Sequence, residues 1–324
     1  MKPLALDLTR LLPGPLAGKI LLELGFRVLR ILPPQGDPLA RLHPEAHAWL
    51  NAGKESETVD LKLEAGKARL KALVREAAVL LETNRPGVME RLGLGPKVLR
   101  KINPRLVYVR LAGFRDPARH AAPGHDLTYL AAAGLLPRVG EAWLLCEANT
   151  ELLCEANTER PVQLADVTGA MWAALATLEG LRRGGGVCEV YLTEAAQVFA
   201  YPPLPFLDGS VLCYAIYPAR DGQVALAALV ASRSEHRAAS RSEHREAHLW
   251  TRFCQAAGKE AWAGAAYTPA REENPLYRQA CAFFREKSAR EWEAWAAEHG
   301  LPLAAVRPYT PRGFGLPWAF AEEA

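Results

Sequence analysis

The chain has 324 residues, of which 50% are hydrophobic and 23% charged, with a formal net charge of +3. That length buries a large core without disulfide or metal staples and favours two domains over one. The weak basicity excludes a general nucleic-acid surface, so an anionic ligand has to be met by local cations.

The first two hundred residues alternate strand-like and helix-like segments. Leu4–Thr9 reads as a strand, followed by a helix opened by Pro15 and closed at Gly25, then strands at Arg27–Leu32 and Thr58–Leu63. A helical pattern over Glu64–Glu76 leads to a strand at Ala78–Glu82, two short helices, and a strand at Leu106–Phe114. Val162–Ala165 precedes a long helix, and Val187–Leu192 follows it. This rhythm predicts an α/β fold, a Rossmann-like large domain with a parallel sheet covered by helices. It spans residues 1–198, with a proline-rich linker over 199–212. Residues 213–285 read as a smaller α+β domain, in which Asp221-Gly222 between two strand-like runs signals a hairpin. Helical patterns follow at Leu249–Ala257 and Pro275–Glu298, then a strand at Leu303–Arg307, and residues 286–324 are expected to return to the large domain.

Two segments are duplicated at a spacing of eight residues: Leu144–Glu151 recurs as Leu152–Glu159, and Ala231–Arg237 recurs as Ala239–Arg245. A solenoid needs three or more copies of about 20–50 residues, so these read as local duplications in surface loops. The six cysteines form no Cys-x-x-Cys pair, which argues against a metal site or a disulfide framework and fits a reducing, cytoplasmic setting. No apolar run approaches the roughly 18–20 residues of a membrane span, so no membrane partner is expected.

No phosphate-binding glycine fingerprint is present: Gly14-Pro15-Leu16-Ala17-Gly18-Lys19-Ile20 is one residue short of the nucleotide loop and lacks its hydroxyl. Arginine outnumbers lysine 29 to 10, and a guanidinium fork suits phosphates. Arg30, Arg85 and Arg91 are the candidates for a phosphorylated ligand, although each also reads as a solvated surface arginine.

Two segments place an ionisable residue where an apolar stretch gives way to a helix. In Gly124-His125-Asp126-Leu127-Thr128-Tyr129-Leu130 it is His125, and in Leu164-Ala165-Asp166-Val167-Thr168-Gly169-Ala170 it is Asp166. Val167, Met171, Ala174, Leu175 and Leu178 then follow at helical spacing. A helix N-terminus disfavours an imidazolium and stabilises a carboxylate as the anion, so His125 reads as a neutral base and Asp166 as an anion. The plain alternatives are a hydrogen-bonded histidine and a helix cap.

Several stretches together resemble the family III CoA-transferase superfamily (CaiB/BaiF type), in its α-methylacyl-CoA racemase branch. They are Arg10-Leu11-Leu12-Pro13-Gly14-Pro15, the Lys54–Lys62 segment, the run Arg85 to Gly95, and Asn103-Pro104-Arg105-Leu106-Val107-Tyr108. Gly124-His125-Asp126 and Ala165-Asp166-Val167 complete the set, in order from Leu4 to about Trp250.

The resemblance implies catalytic roles for Asp166, His125 and, from the small domain, Glu246. It implies CoA contacts at Arg30, at Ser56, Glu57, Thr58 and Val59, at Thr83, Asn84 and Arg85, and at Arg91. Gly124, Asp126, Leu127, Thr128 and Tyr129 complete the CoA contacts it implies. It further implies an interlocked homodimer acting on an acyl-CoA substrate with no separate cofactor, CoA entering as part of the substrate. No glycine-rich loop of the transferase type lies between Cys213 and Leu301, which favours racemisation of 2-methylacyl-CoA thioesters through an enolate. The alternatives are a CoA-transferase using Asp166 as nucleophile and a CoA-binding protein without catalysis.

Overall fold

The computed structural model describes residues 2–120, 122–135, 162–200, 209–229 and 249–307. These fall into two compact units, one up to residue 201 and the other from 202 to 310.

The large unit is built on a six-stranded parallel sheet in the order β3-β2-β1-β4-β5-β6. The strands are β1 (Leu4–Leu8), β2 (Arg27–Leu32), β3 (Glu55–Thr58), β4 (Ala77–Glu82), β5 (Val107–Ala112) and β6 (Gly186–Tyr191). All five residues of β1 are buried, as a central strand covered on both faces requires. Alternate residues serve opposite layers: Ala5 packs with Val79 and Val107, whereas Leu4, Leu6 and Leu8 pack with Leu29 and Leu80.

The edge strand β3 pairs Leu29–Leu32 with Glu55–Thr58, not with the apolar Thr58–Leu63 that the sequence favours. An edge strand is paired on one side only, so polar residues serve there, and Val59 is used instead to cover the core.

Helix α1 (Pro13–Glu23) begins two residues before the expected Pro15, with Pro13 itself as its first residue. Beyond it lie α2 (Leu39–Leu42), α3 (Pro44–Asn51), α4 (Glu64–Val74), α5 (Val88–Arg91), α6 (Pro96–Ile102), α7 (Asp126–Ala132) and α8 (Leu164–Arg182).

In α8 the apolar periodicity marks the helix but not all of its buried face. Its buried face is made of Ala165, Thr168, Gly169, Ala170, Ala173, Ala174 and Thr177, while Met171 is 54% and Leu175 52% exposed. The cause is close approach: a Cβ on Gly180 would lie 2.5 Å from Val107, and one on Gly169 2.2 Å from Leu192. Only small residues fit against the sheet, so the large ones point outward.

The small unit carries an antiparallel sheet of β7 (Tyr214–Pro218), β8 (Gln223–Ala227) and β9 (Leu303–Ala305). Asp221-Gly222 does close the β7–β8 hairpin, in a loop where the Ala219 N–H donates to the Gly222 carbonyl. The expected Pro275–Glu298 helix is two helices, Pro275–Phe284 and Ala289–His299, the second opened by Ser288 whose side chain accepts from the Glu291 amide. Of the segment 286–324 expected to return to the large unit, residues 289–305 belong to the small unit, and those from 308 on lie outside the described residues. Trp292 is fully buried with Phe253 and Phe284 in the small unit's core, and β9 pairs with β8.

Candidate active site

The strand order reverses direction at β1 and β4, and ligands of open α/β sheets bind at the carboxyl end of such a switch point. A cavity of about 620 Å³ lies there. Its wall follows the strand ends: Arg10–Pro13 after β1, Thr83–Pro86 after β4, Leu111–Gly113 at the end of β5 and Leu192 after β6. Gly124, His125, Tyr129 and Asp166 complete the chemically active side.

Tyr129 fixes the Gly-His-Asp segment to the sheet. Its hydroxyl donates to the Gly124 carbonyl at 2.7 Å, and its ring packs against both Gly113 and Gly124, where an added Cβ would lie 2.6 and 2.5 Å from it. Burial and the nearby Asp166 and Asp126 charges push its hydroxyl up to about 12, so it remains a donor. His125 caps α7 in extended backbone geometry and is exposed. Its N–H donates to the Thr128 hydroxyl at 3.0 Å, and that hydroxyl donates back to the His125 carbonyl at 2.7 Å.

Asp166 is the third residue of α8, with Gln163 as the cap. Its own amide donates to the buried Asp126 carboxylate at 2.9 Å, tying the two motifs together. The expected stabilisation of the Asp166 anion by the helix N-terminus is overturned. Burial, with a smaller contribution from the Asp126 charge, pushes its carboxyl up to about 7.

The Thr83–Arg85 wall is held from below. Buried Glu82 accepts from the Asn84 amide at 2.6 Å and from Arg110 Nε at 2.6 Å, and Arg110 also binds Glu90 and Glu189. Burial raises the Glu82 carboxyl despite this arginine. On the other wall, Leu11 stands at φ +66, a left-handed conformation costing a leucine about 1–2 kcal/mol. Gly14 lets α1 approach β1, since a Cβ there would meet Thr9 at 2.2 Å.

The structure thus brings His125, Asp166, Thr83, Asn84, Arg85, Gly124 and Tyr129 to one cavity, with Asp126 directly behind. Leu127 and Thr128 lie in the same helix start. Arg30 is elsewhere: its side chain is 2% exposed and bound to Asp37 at 2.7 Å, with His47 at 3.2 Å. Ser56, Glu57 and Thr58 lie on the edge strand, where Glu57 pairs with Arg69, and Val59 is core. Arg91 is exposed on α5. Glu246 and both duplicated segments lie outside the described residues.

Sequence reasoning left Arg10, Leu11, Leu39, Leu42 and His120 without a role, yet all line the cavity. Arg10 and Leu11 were findable, because they immediately follow the first strand. His120, whose Nδ1 donates to the Phe114 carbonyl at 3.1 Å, carried no signal. Among the described residues no three His, Cys, Asp or Glu side chains are grouped to hold a metal ion, and no helix is long and apolar enough to cross a membrane.

The family model described as CoA-transferase family III matches residues 4–311. A probable fatty acyl-CoA transferase from Mycobacterium tuberculosis is 41% identical over 140 residues, covering 40% of this chain and 36% of that protein. Human α-methylacyl-CoA racemase is 40% identical over 138 residues, covering 42% of this chain and 34% of that protein. The matches thus span about a third of these relatives' length. A crystal structure of the mycobacterial protein superposes with a TM-score of 0.67 at 26% identity, over 94% of this chain and 83% of that one. A CaiB/BaiF family protein from Brucella suis shares the fold, with a TM-score of 0.69 at 20% identity over 94% of this chain and 83% of that one.

Proposed function

The chain belongs to CoA-transferase family III, and within that family we propose that it interconverts the epimers of 2-methylacyl-CoA thioesters. One observation carries the reading: Asp166, pushed up to about 7, shares a cavity with His125 at the switch point of the sheet. A carboxyl with that pKa is present in both protonation states at neutral pH and serves equally as acid or base.

His125 takes the α-proton from one face of the thioester. The C–H electron pair moves into the carbonyl, giving an enolate, and protonated Asp166 returns a proton to the α-carbon from the other face. For the opposite epimer the two exchange roles, and no second substrate is consumed. Each group contributes roughly 10²- to 10⁴-fold. CoA enters as part of the substrate, its binding assigned to the Thr83–Arg85 and Gly124–Tyr129 segments, and no separate cofactor takes part.

Glu246 assists from the small domain of a partner subunit in a homodimer. The outward Met171, Trp172, Leu175 and Leu178 of α8 offer apolar area of the kind a protein partner covers. The competing reading is CoA transfer with Asp166 as nucleophile, and it is kept because a transferase and a racemase match at nearly equal identity.

Hydroxylamine present during turnover separates the two readings. Peptide mass spectrometry should find Asp166 unmodified, and a hydroxamate at Asp166 would assign the protein to the transferases.

A further inference from the structure

We infer that Asp37 is a latch that sets the shape of the acyl-CoA cavity, and that Arg30 acts through it as a positioning residue instead of as a phosphate ligand. The inference rests on the proposed acyl-CoA reading for its ligand only. Asp37 is buried, and its carboxylate joins three separate pieces of chain. Oδ2 accepts from Arg30 Nη2 at 2.7 Å, inside the sheet on β2. Oδ1 accepts from the Leu39 amide at 3.0 Å and from the Leu11 amide at 3.3 Å.

Leu11 and Leu39 are both cavity walls, the first following β1 and the second opening α2. Among the described residues Leu11 is the one non-glycine residue with positive φ. A leucine does not hold that conformation by itself, so an outside contact must select it, and the Asp37 carboxylate is the contact its amide makes. Arg30 in turn supplies the charge that lets a carboxylate sit buried, with its Nη1 hydrogen-bonded to His47 Nε2 at 3.2 Å. The side chain of Arg30 therefore has its work inside the protein.

Two variants, Asp37→Asn and Arg30→Met, should each bind acyl-CoA roughly tenfold more weakly, because an unlatched wall loses its preorganisation. The matching phosphate-free acyl-pantetheine should weaken by the same factor. The double variant should be no worse than either single one. Leu11→Gly, free to adopt positive φ, should restore part of the affinity in the Asp37→Asn background. Hydrogen exchange at the Leu11 and Leu39 amides, measured without ligand, should speed up in Asp37→Asn while strand amides of β4 and β5 stay protected.

Loss of acyl-CoA binding in Arg30→Met with acyl-pantetheine binding intact would make Arg30 a phosphate ligand and overturn the assignment. Unchanged exchange at the two amides would overturn the latch even if the wild-type protein bound no acyl-CoA, an outcome that would separately end the acyl-CoA reading.

Discussion

Replacing Asp166 by asparagine should stabilise the protein at alkaline pH and leave it unchanged in acid. The native carboxyl titrates near 7, against an ordinary value of 3.8. About three pK units at roughly 1.4 kcal/mol each set an upper bound near 4 kcal/mol. Asp166 is half-buried and lines an open cavity, so solvent screening reduces this to about 2 kcal/mol. The sign follows from proton counting: between the two values the folded chain holds a proton the unfolded chain has lost, so stability falls as pH rises from about 4 to about 7 and is then flat. Asparagine carries no such cost. Thermal denaturation at about pH 4 should give equal midpoints, and at about pH 8 the variant should melt about 4–8 °C higher. A variant that melts lower at about pH 8, or equally higher at both, would refute the claim that Asp166 is held against its own ionisation.

Removing the Asp126 charge with Asp126→Asn should lower the Asp166 pKa, because that charge raises it, and should move the corresponding inflection of the pH–rate profile to lower pH. Gly124→Ala would put a Cβ 2.5 Å from the Tyr129 ring, so a loss of about 1–3 kcal/mol in chemical denaturation is expected together with reduced turnover. Two inactive variants, one at Asp166 and one at Glu246, should regain part of their activity when co-expressed as a mixed dimer. An inactive mixed dimer of folded chains would place Glu246 in cis or outside the site.

Much of the large unit was legible because buried parallel strands read as short apolar runs. β1, β2, β4, β5 and β6 all fall within a few residues of their expected bounds. The positions of His125 and Asp166 were legible for a related reason, since both follow from where apolar segments hand over to helices. What failed was set by tertiary context. β3 took polar residues because its place at the sheet edge outweighed apolarity, and α8 turned its small residues inward because the sheet lies too close for leucine. Asp166 lies near a helix N-terminus, as expected, but its ionisation is governed by burial and by Asp126, which sequence spacing does not report. Arg30 looked like a ligand for anions because nothing in the sequence marks Asp37 as its partner.

Proton exchange at the α-carbon tests the central claim most directly. A single epimer of a 2-methylacyl-CoA is incubated with the protein in D₂O, without any acceptor acid, and followed by proton NMR. The α-proton signal should disappear, with the methyl doublet collapsing as deuterium enters, while the second epimer accumulates. An α-proton that persists across branched acyl-CoA substrates, alongside CoA transfer once a free carboxylate is added, would contradict the racemase account.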